Sequence, residues 1–265
     1  MSPNKKVFFV SLGCPKNRVD SEIMLGELDS RDYQVVQDAG EADLLVVNTC
    51  SFVEDAREES VDTILELAQA KTDSGDAKQL VVAGCLSQRY ADELAIEIPE
   101  VDLFLGTGDH WRIGEILDGG PTIPAAGKRV VGRPGYNYDA YSPRVITTDP
   151  WTAYVKVAEG CSQRCSFCII PRLRGGAKSR GIDDIVREVA ALAEGGTREI
   201  NLIAQDLTHF GDDLKDGTSL TTLLRELVKV DGVRWLRLLY CYPHAFSDEL
   251  IDLIAAEPKI ASYVD

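Results

Sequence analysis

The chain has 265 residues, 45% of them hydrophobic and 27% charged, with a formal net charge of -15, which is enough material for two ordinary domains with separate cores. No apolar run approaches the roughly 18 residues of a membrane span, so no membrane partner is expected, and the acidic balance opposes a surface that tracks phosphate backbones nonspecifically. Seven cysteines, an odd number without a secretory leader before them, imply a reducing cytoplasmic setting and point to metal ligation or catalysis more than to a disulfide framework.

Residues 7–11, 44–47 and 80–83 are short β-rich runs, separated by helical patterns over residues 22–28 and about 53–70. A further strand at 103–105 and a helix near 111–117 complete the unit. Such alternation predicts an α/β domain, a doubly wound parallel sheet covered by helices, over residues 1–120. Residues 121–150 are rich in Gly, Pro, Tyr and Asp, keep neither period, and read as a linker.

From residue 151 to 265 the alternation restarts. Strands are expected at 153–157, 199–203, 235–239 and 260–264, and helices at 182–192, 220–228 and 248–255. Repeats of this kind predict a (β/α) barrel, whose sites gather at the C-terminal strand ends. Four strands cannot close a barrel, so the expectation is a partial one, the first half of a truncated domain.

Cys161, Cys165 and Cys168 follow the first of these strands in the spacing Cys-x-x-x-Cys-x-x-Cys. Soft thiolates this close select an iron-sulfur cluster or zinc. Zinc prefers four protein ligands in paired knuckles, and no second pair is near. Three ligands on a four-iron cluster leave one iron open to a substrate.

Cys14, Cys50 and Cys85 are far apart in sequence, yet each comes directly after an expected strand. The strand ends of a parallel sheet share one edge, where ligands bind, so three dispersed thiols would meet there. Gly13 and Gly84 would permit close backbone approach to a bulky group. Ligation and burial as small structural side chains both remain open at this point. Cys241 has no companion and reads as packing.

The segments Ser11 through Glu22, Val47 through Val53, Val82 through Leu86 and Glu159 through Gly175 together resemble the radical S-adenosylmethionine (SAM) methylthiotransferases over essentially the whole chain. Cys14-Pro15-Lys16-Asn17, Ala204 through Thr208 and Tyr242 through Phe246 are most similar to the branch acting on an aspartate of a small-subunit ribosomal protein.

The resemblance implies two [4Fe-4S] clusters, one on Cys161, Cys165 and Cys168 that binds and cleaves SAM, the other on Cys14, Cys50 and Cys85 that carries the inserted sulfur. It further implies methylthiolation at the aspartate β-carbon, an electron donor, and the ribosome as a wider partner. Methylthiolation of a transfer-RNA adenosine is the nearest alternative, and a noncatalytic iron-sulfur or zinc-binding module is an alternative of another class.

Five more residues are candidates for SAM or substrate. Phe167 is placed against the adenine, with covering of the cluster loop as its other role. Gln205 and Asp206 lie at an expected strand end, where they would bind SAM, position substrate, or cap the next helix. Arg174 and Arg180 supply guanidinium forks suited to a carboxylate, unless they belong to a solvated basic stretch. His110, His209 and His244 show no ligand spacing and are expected at the surface or in packing, with His244 the nearest of them to a strand end.

Overall fold

The computed structural model describes residues 5–74, 78–119 and 129–265; residues 121–128 of the expected linker lie outside them. The chain divides into two units, one of residues up to 136 together with 143–145, the other of residues 137–142 and 146–265.

In the first unit six strands form one sheet: β1 (Lys5–Ser11), β2 (Tyr33–Val35), β3 (Leu44–Thr49), β4 (Gln79–Gly84), β5 (Leu103–Leu105) and β6 (Arg129–Val130). Their order is β2-β1-β3-β4-β5-β6 and every pairing is parallel. Every residue of β3 is buried, as a parallel strand covered on both faces requires.

Successive side chains of a strand point to opposite faces, and β3 and β4 feed two cores in this way. Leu45, Val47, Leu80 and Val82 pack with Ile64 and Leu67 of α2 (Glu54–Asp73) and Leu86 of α3 (Cys85–Glu97). Leu44, Val46, Val81 and Ala83 pack with Met24 and Leu28 of α1 (Pro15–Asp29) and Ile113 of α4 (Ile113–Leu117).

Helix α1 begins seven residues before the expected start at 22. Pro15 occupies its first turn, where the missing N–H costs nothing. Lys16, Asn17, Asp20, Ser21 and Glu22 are all buried, so the helix lacks the polar face that periodicity detects. Glu22 accepts from Arg144, with Nη2 to Oε2 at 2.6 Å, and Val145 N–H donates to the Glu22 carbonyl at 3.0 Å. Gly26 permits this strap: a Cβ there would lie 2.4 Å from the Pro143 carbonyl carbon.

The second unit contains β7 (Thr152–Lys156), β10 (Glu199–Ile203), β11 (Trp235–Leu238) and β12 (Ile260–Val264), parallel and in the order β12-β11-β10-β7. Between them run α6 (Ile182–Glu194), α7 (Leu220–Leu227) and α8 (Asp248–Ala256). Each strand neighbours the next in sequence, as successive βα units of a barrel do. One core joins Val155, Ile200, Leu202, Leu236 and Leu238 to Ile185, Val189, Leu223 and Leu224.

Two short strands, β8 (Ala158–Glu159) and β9 (Lys178–Ser179), pair antiparallel and bracket α5 (Ile170–Arg174). Tyr138 is buried in this unit, donating to Glu188 Oε1 at 2.9 Å and accepting from Lys156 N at 3.1 Å.

Candidate metal centres

The strand order of the first unit changes direction between β1 and β3, since β2 lies on one side of β1 and β3 to β6 on the other. Parallel sheets bind ligands beyond the carboxyl ends of the strands at such a switch point. Cys14 follows β1, Cys50 follows β3 and Cys85 follows β4.

Register aligns them. Ser11 pairs with Asn48, Asn48 with Ala83 and Thr49 with Gly84, so Cys50 and Cys85 are each the first residue past the last rung. Gly13, at φ +88°, brings the first loop against Cys50: a Cβ there would stand 2.8 Å from Cys50 Cβ and 3.3 Å from its Sγ. Gly84, at φ +95°, has Asn48 Oδ1 where a Cβ would go, 2.3 Å away.

Two polar side chains hold these loops. Asn17 Nδ2 donates to the Leu12 carbonyl at 3.1 Å and the Thr49 carbonyl at 2.8 Å, while its Oδ1 lies 3.8 Å from Cys85 Sγ. Ser60 Oγ of α2 accepts from Cys50 N and donates to the Cys50 carbonyl. Cys50 and Cys85 are buried, and Cys14 is half-buried. None of the seven cysteines is in a disulfide.

In the second unit the loop carrying Cys161, Cys165 and Cys168 leaves β8 and enters α5. Its two ends are tied: Cys161 N–H donates to the Gly175 carbonyl at 3.0 Å, and Ala177 N–H to Ser162 Oγ at 3.0 Å. Gly160, at φ +74°, has no room for a side chain, because a Cβ would meet the Gly176 carbonyl oxygen at 2.3 Å.

The Cys161 thiol is pushed above its ordinary range by burial first, with Asp206 and the other two thiols of the loop adding to the shift. Cys161 is thus within electrostatic reach of Cys165, Cys168 and Asp206. Among the described residues no three of His, Cys, Asp or Glu converge on a point that would hold one metal ion.

A cavity of about 180 Å³ opens beside Cys161, lined by Gly160, Ser162, Gln163, Asp206, His209 and Asp212 among others. Asp206, just past β10, accepts from Thr208 Oγ1 at 2.7 Å and has His209 Nδ1 at 2.8 Å from its Oδ2. Gln205 Nε2 donates to Glu159 Oε1 at 2.9 Å.

The two arginines are engaged by carboxylates of the chain itself. Arg174 is buried with Nη1 3.3 Å from Glu159 Oε2. Arg180 pairs with Asp184 at 2.7 Å and Glu188 at 2.6 Å, donates to the Lys156 carbonyl, and lies over the Tyr138 ring. Phe167 stands 90% exposed at the tip of the loop.

The fold makes four residues prominent that sequence reasoning left without a functional role: Asn17, Lys156 and Glu159, to which it gave none of their own, and His209, which it expected at the surface or in packing. Their available signals were proximity to a cysteine, the Lys-x-x-Glu spacing before Cys161, and the i, i+3 spacing of His209 from Asp206. Of the other histidines, His110 is buried, with Nδ1 at 3.0 Å from the Thr107 carbonyl. Cys241 is buried in the core of the second unit.

Residues 155–261 match the radical SAM superfamily, and residues 6–106 match the uncharacterized protein family UPF0004. The chain is thus similar to the radical SAM enzymes and, within them, to the branch of the methylthiotransferases. The superfamily match supports binding of SAM and of one [4Fe-4S] cluster.

Within the branch it is similar to ribosomal protein uS12 methylthiotransferase RimO of Myxococcus xanthus, 53% identical over 98% of this chain and 54% of that one. The RimO of Geobacter sulfurreducens is 51% identical over 98% of this chain and 58% of that one. The chain therefore spans about half the length of the curated relatives it matches.

Among solved structures, the radical SAM methyltransferase TsrM from Kitasatospora setae, with cobalamin and a [4Fe-4S] cluster bound, superposes with a TM-score of 0.63 at 17% identity, over 98% of this chain and 61% of that one. The cobalamin-dependent SAM radical enzyme OxsB gives 0.60 at 10% identity, over 95% of this chain and 41% of that one. These two likenesses concern the fold. No helix among the described residues is long and apolar enough to cross a membrane.

Proposed function

We propose that this chain is the part of a methylthiotransferase that carries both cluster sites, and that the enzyme inserts a methylthio group at the β-carbon of an aspartate in the small-subunit ribosomal protein uS12. The observation that carries the reading is that each unit presents three thiols, none in a disulfide: in the first they follow three neighbouring parallel strands, and in the second they share the loop between β8 and α5. Similarity to the RimO proteins over 98% of the chain supports the choice of substrate.

Cys161, Cys165 and Cys168 would hold one [4Fe-4S] cluster and Cys14, Cys50 and Cys85 a second, since soft thiolates in sets of three suit four-iron clusters with one open iron. When bound, the first supplies reductive cleavage of SAM and the second the sulfur to be inserted. The chain's own residues do the remainder. Gly13 and Gly84 keep the Cys50 and Cys85 surroundings clear of side chains, and Asn17 joins the loops that carry the thiols.

Around the second-unit loop, Asp206 and Gln205 would orient SAM from the end of β10, and Phe167 would close over the adenine. Arg174 and Arg180, already paired with Glu159, Asp184 and Glu188, would act by stiffening the frame of the SAM site. Such a frame holds the reactive fragment in place and excludes water. Reduced cysteines suit a cytoplasmic location and a partner that donates single electrons.

Anaerobic reconstitution with iron and sulfide tests the reading. About eight irons per chain, from two four-iron clusters, are expected, with 5'-deoxyadenosine formed from SAM after reduction and lost in Cys165→Ala. Zinc in place of iron, or iron without SAM cleavage, would overturn it.

A further inference from the structure

We infer that Glu159 is a positioning residue, one carboxylate that fixes both the neck of the cysteine loop and the orientation of the Gln205 amide. The inference deepens the proposed function and rests on its reading that this loop holds the SAM-cleaving cluster.

Glu159 is 3% exposed and receives hydrogen bonds on both oxygens. Oε2 takes Lys156 Nζ at 2.6 Å and Arg174 Nη1 at 3.3 Å; Oε1 takes Gln205 Nε2 at 2.9 Å and Gly160 N at 3.1 Å. These donors belong to four places in the chain: β7, the end of α5, the residue before Cys161, and the turn after β10. A buried carboxylate with charged donors on it makes short, directional bonds that are costly to leave unmade.

The first consequence is local. Gly160 and Arg174 flank the point where Cys161 N–H meets the Gly175 carbonyl, so a single side chain grips both strands of the neck. The loop beyond it, with Cys165 and Phe167 exposed, is thereby held at its base while its tip keeps freedom to enclose a group.

The second consequence concerns Gln205. The Glu159 carboxyl oxygens already accept from the cations of Lys156 and Arg174, and the Gln205 amide turns its NH₂ toward them as a further donor. Its Oε1 then faces away, buried and without a hydrogen-bond partner. This acceptor is enclosed in the protein one residue before Asp206 of the cavity wall, and a turn of the side chain toward that cavity would let it take an N–H or O–H donor such as the amine or ribose of SAM. Glu159 thus decides that position 205 presents an acceptor to the ligand.

Two variants of the full chain separate the consequences. In the metal-free protein, Glu159→Gln is expected to speed amide exchange in peptides spanning residues 160–161 and 174–176 on the order of tenfold, with β10 and β11 exchanging as before. After reconstitution, the electron paramagnetic resonance change caused by SAM is expected to require on the order of tenfold more SAM in both Glu159→Gln and Gln205→Ala. Gln205→Ala should leave exchange at the neck unaltered.

Unchanged exchange in Glu159→Gln, or an unchanged SAM requirement in Gln205→Ala, would overturn the inference. Should Glu159→Gln fail to fold, the Gln205→Ala titration still decides the second consequence. A wild-type spectrum indifferent to SAM would instead remove the functional reading, and the exchange comparison would still judge the neck.

Discussion

Asn17 stands against Cys85 across 68 residues of sequence: its Oδ1 lies 3.8 Å from Cys85 Sγ while its Nδ2 donates at 2.8 Å to the carbonyl of Thr49, the residue before Cys50. One amide on α1 thus bridges the ends of β3 and β4.

Replacing that amide is expected to disturb the first-unit centre selectively. In Asn17→Leu the Leu12 and Thr49 carbonyls lose a buried donor, a cost of about 1–3 kcal/mol. Reconstituted iron should fall from about eight toward about four per chain, while SAM cleavage by the second-unit site survives. Full iron in the variant would show that Asn17 is dispensable.

Gly84→Ala tests the tight joint between β3 and β4. The backbone there is at φ +95° and the new methyl would lie 2.3 Å from Asn48 Oδ1 and 2.6 Å from the Thr49 carbonyl oxygen. Strain at such a position costs about 1–3 kcal/mol, and the clash adds to it. A lower urea midpoint is expected together with loss of first-unit iron, and a midpoint equal to wild type would contradict the geometry.

Arg180→Met probes the buried ion pairs of the second unit. Glu188 and Asp184 would keep their charge without the guanidinium now 2.6 and 2.7 Å away. Breaking one side of a buried pair costs about 3–5 kcal/mol. Because Arg180 is placed in the framework, denaturant stability should drop even in protein without iron; a variant as stable as wild type but deficient in SAM binding would move Arg180 into the ligand site.

Cys241 carries a pH signature. Burial, reinforced by Asp265 and Asp206, pushes its thiol from the ordinary 9.0 up to about 12. The folded state favours the neutral thiol, so this contribution to stability is complete below pH 9.0 and is lost as pH rises through about 12. Denaturant stability should therefore fall less steeply across that interval in Cys241→Ala than in wild type. Alkylation of the native, metal-free chain should label exposed Cys165 well before buried Cys241; equal rates at the two would refute the difference in burial.

Much of this architecture was legible because its elements announce themselves. The strands at 199–203 and 260–264 have the bounds expected of them, and α6, α7 and α8 differ by one or two residues, since each alternates apolar and polar residues at its own period. The start of α1 was not legible, because its polar residues are buried by partners such as Arg144 and the Thr49 region, 122 and 32 residues away. Helix α3, beginning at Cys85 itself with a kink at Tyr90, was likewise missed.

The cysteine spacing, the glycines before Cys14 and Cys85, and the strand-helix rhythm are properties of neighbours along the chain, and the sequence by itself determined from them the two α/β units and the six candidate ligands. Which side chains meet was decided only by tertiary structure. The switch point between β1 and β3, Asn17 reaching Cys85, and Glu159 joining Gly160, Arg174 and Gln205 depend on strand order and register. A hydrogen bond is directional and short-ranged, so its partner is chosen by packing, which local periodicity does not encode.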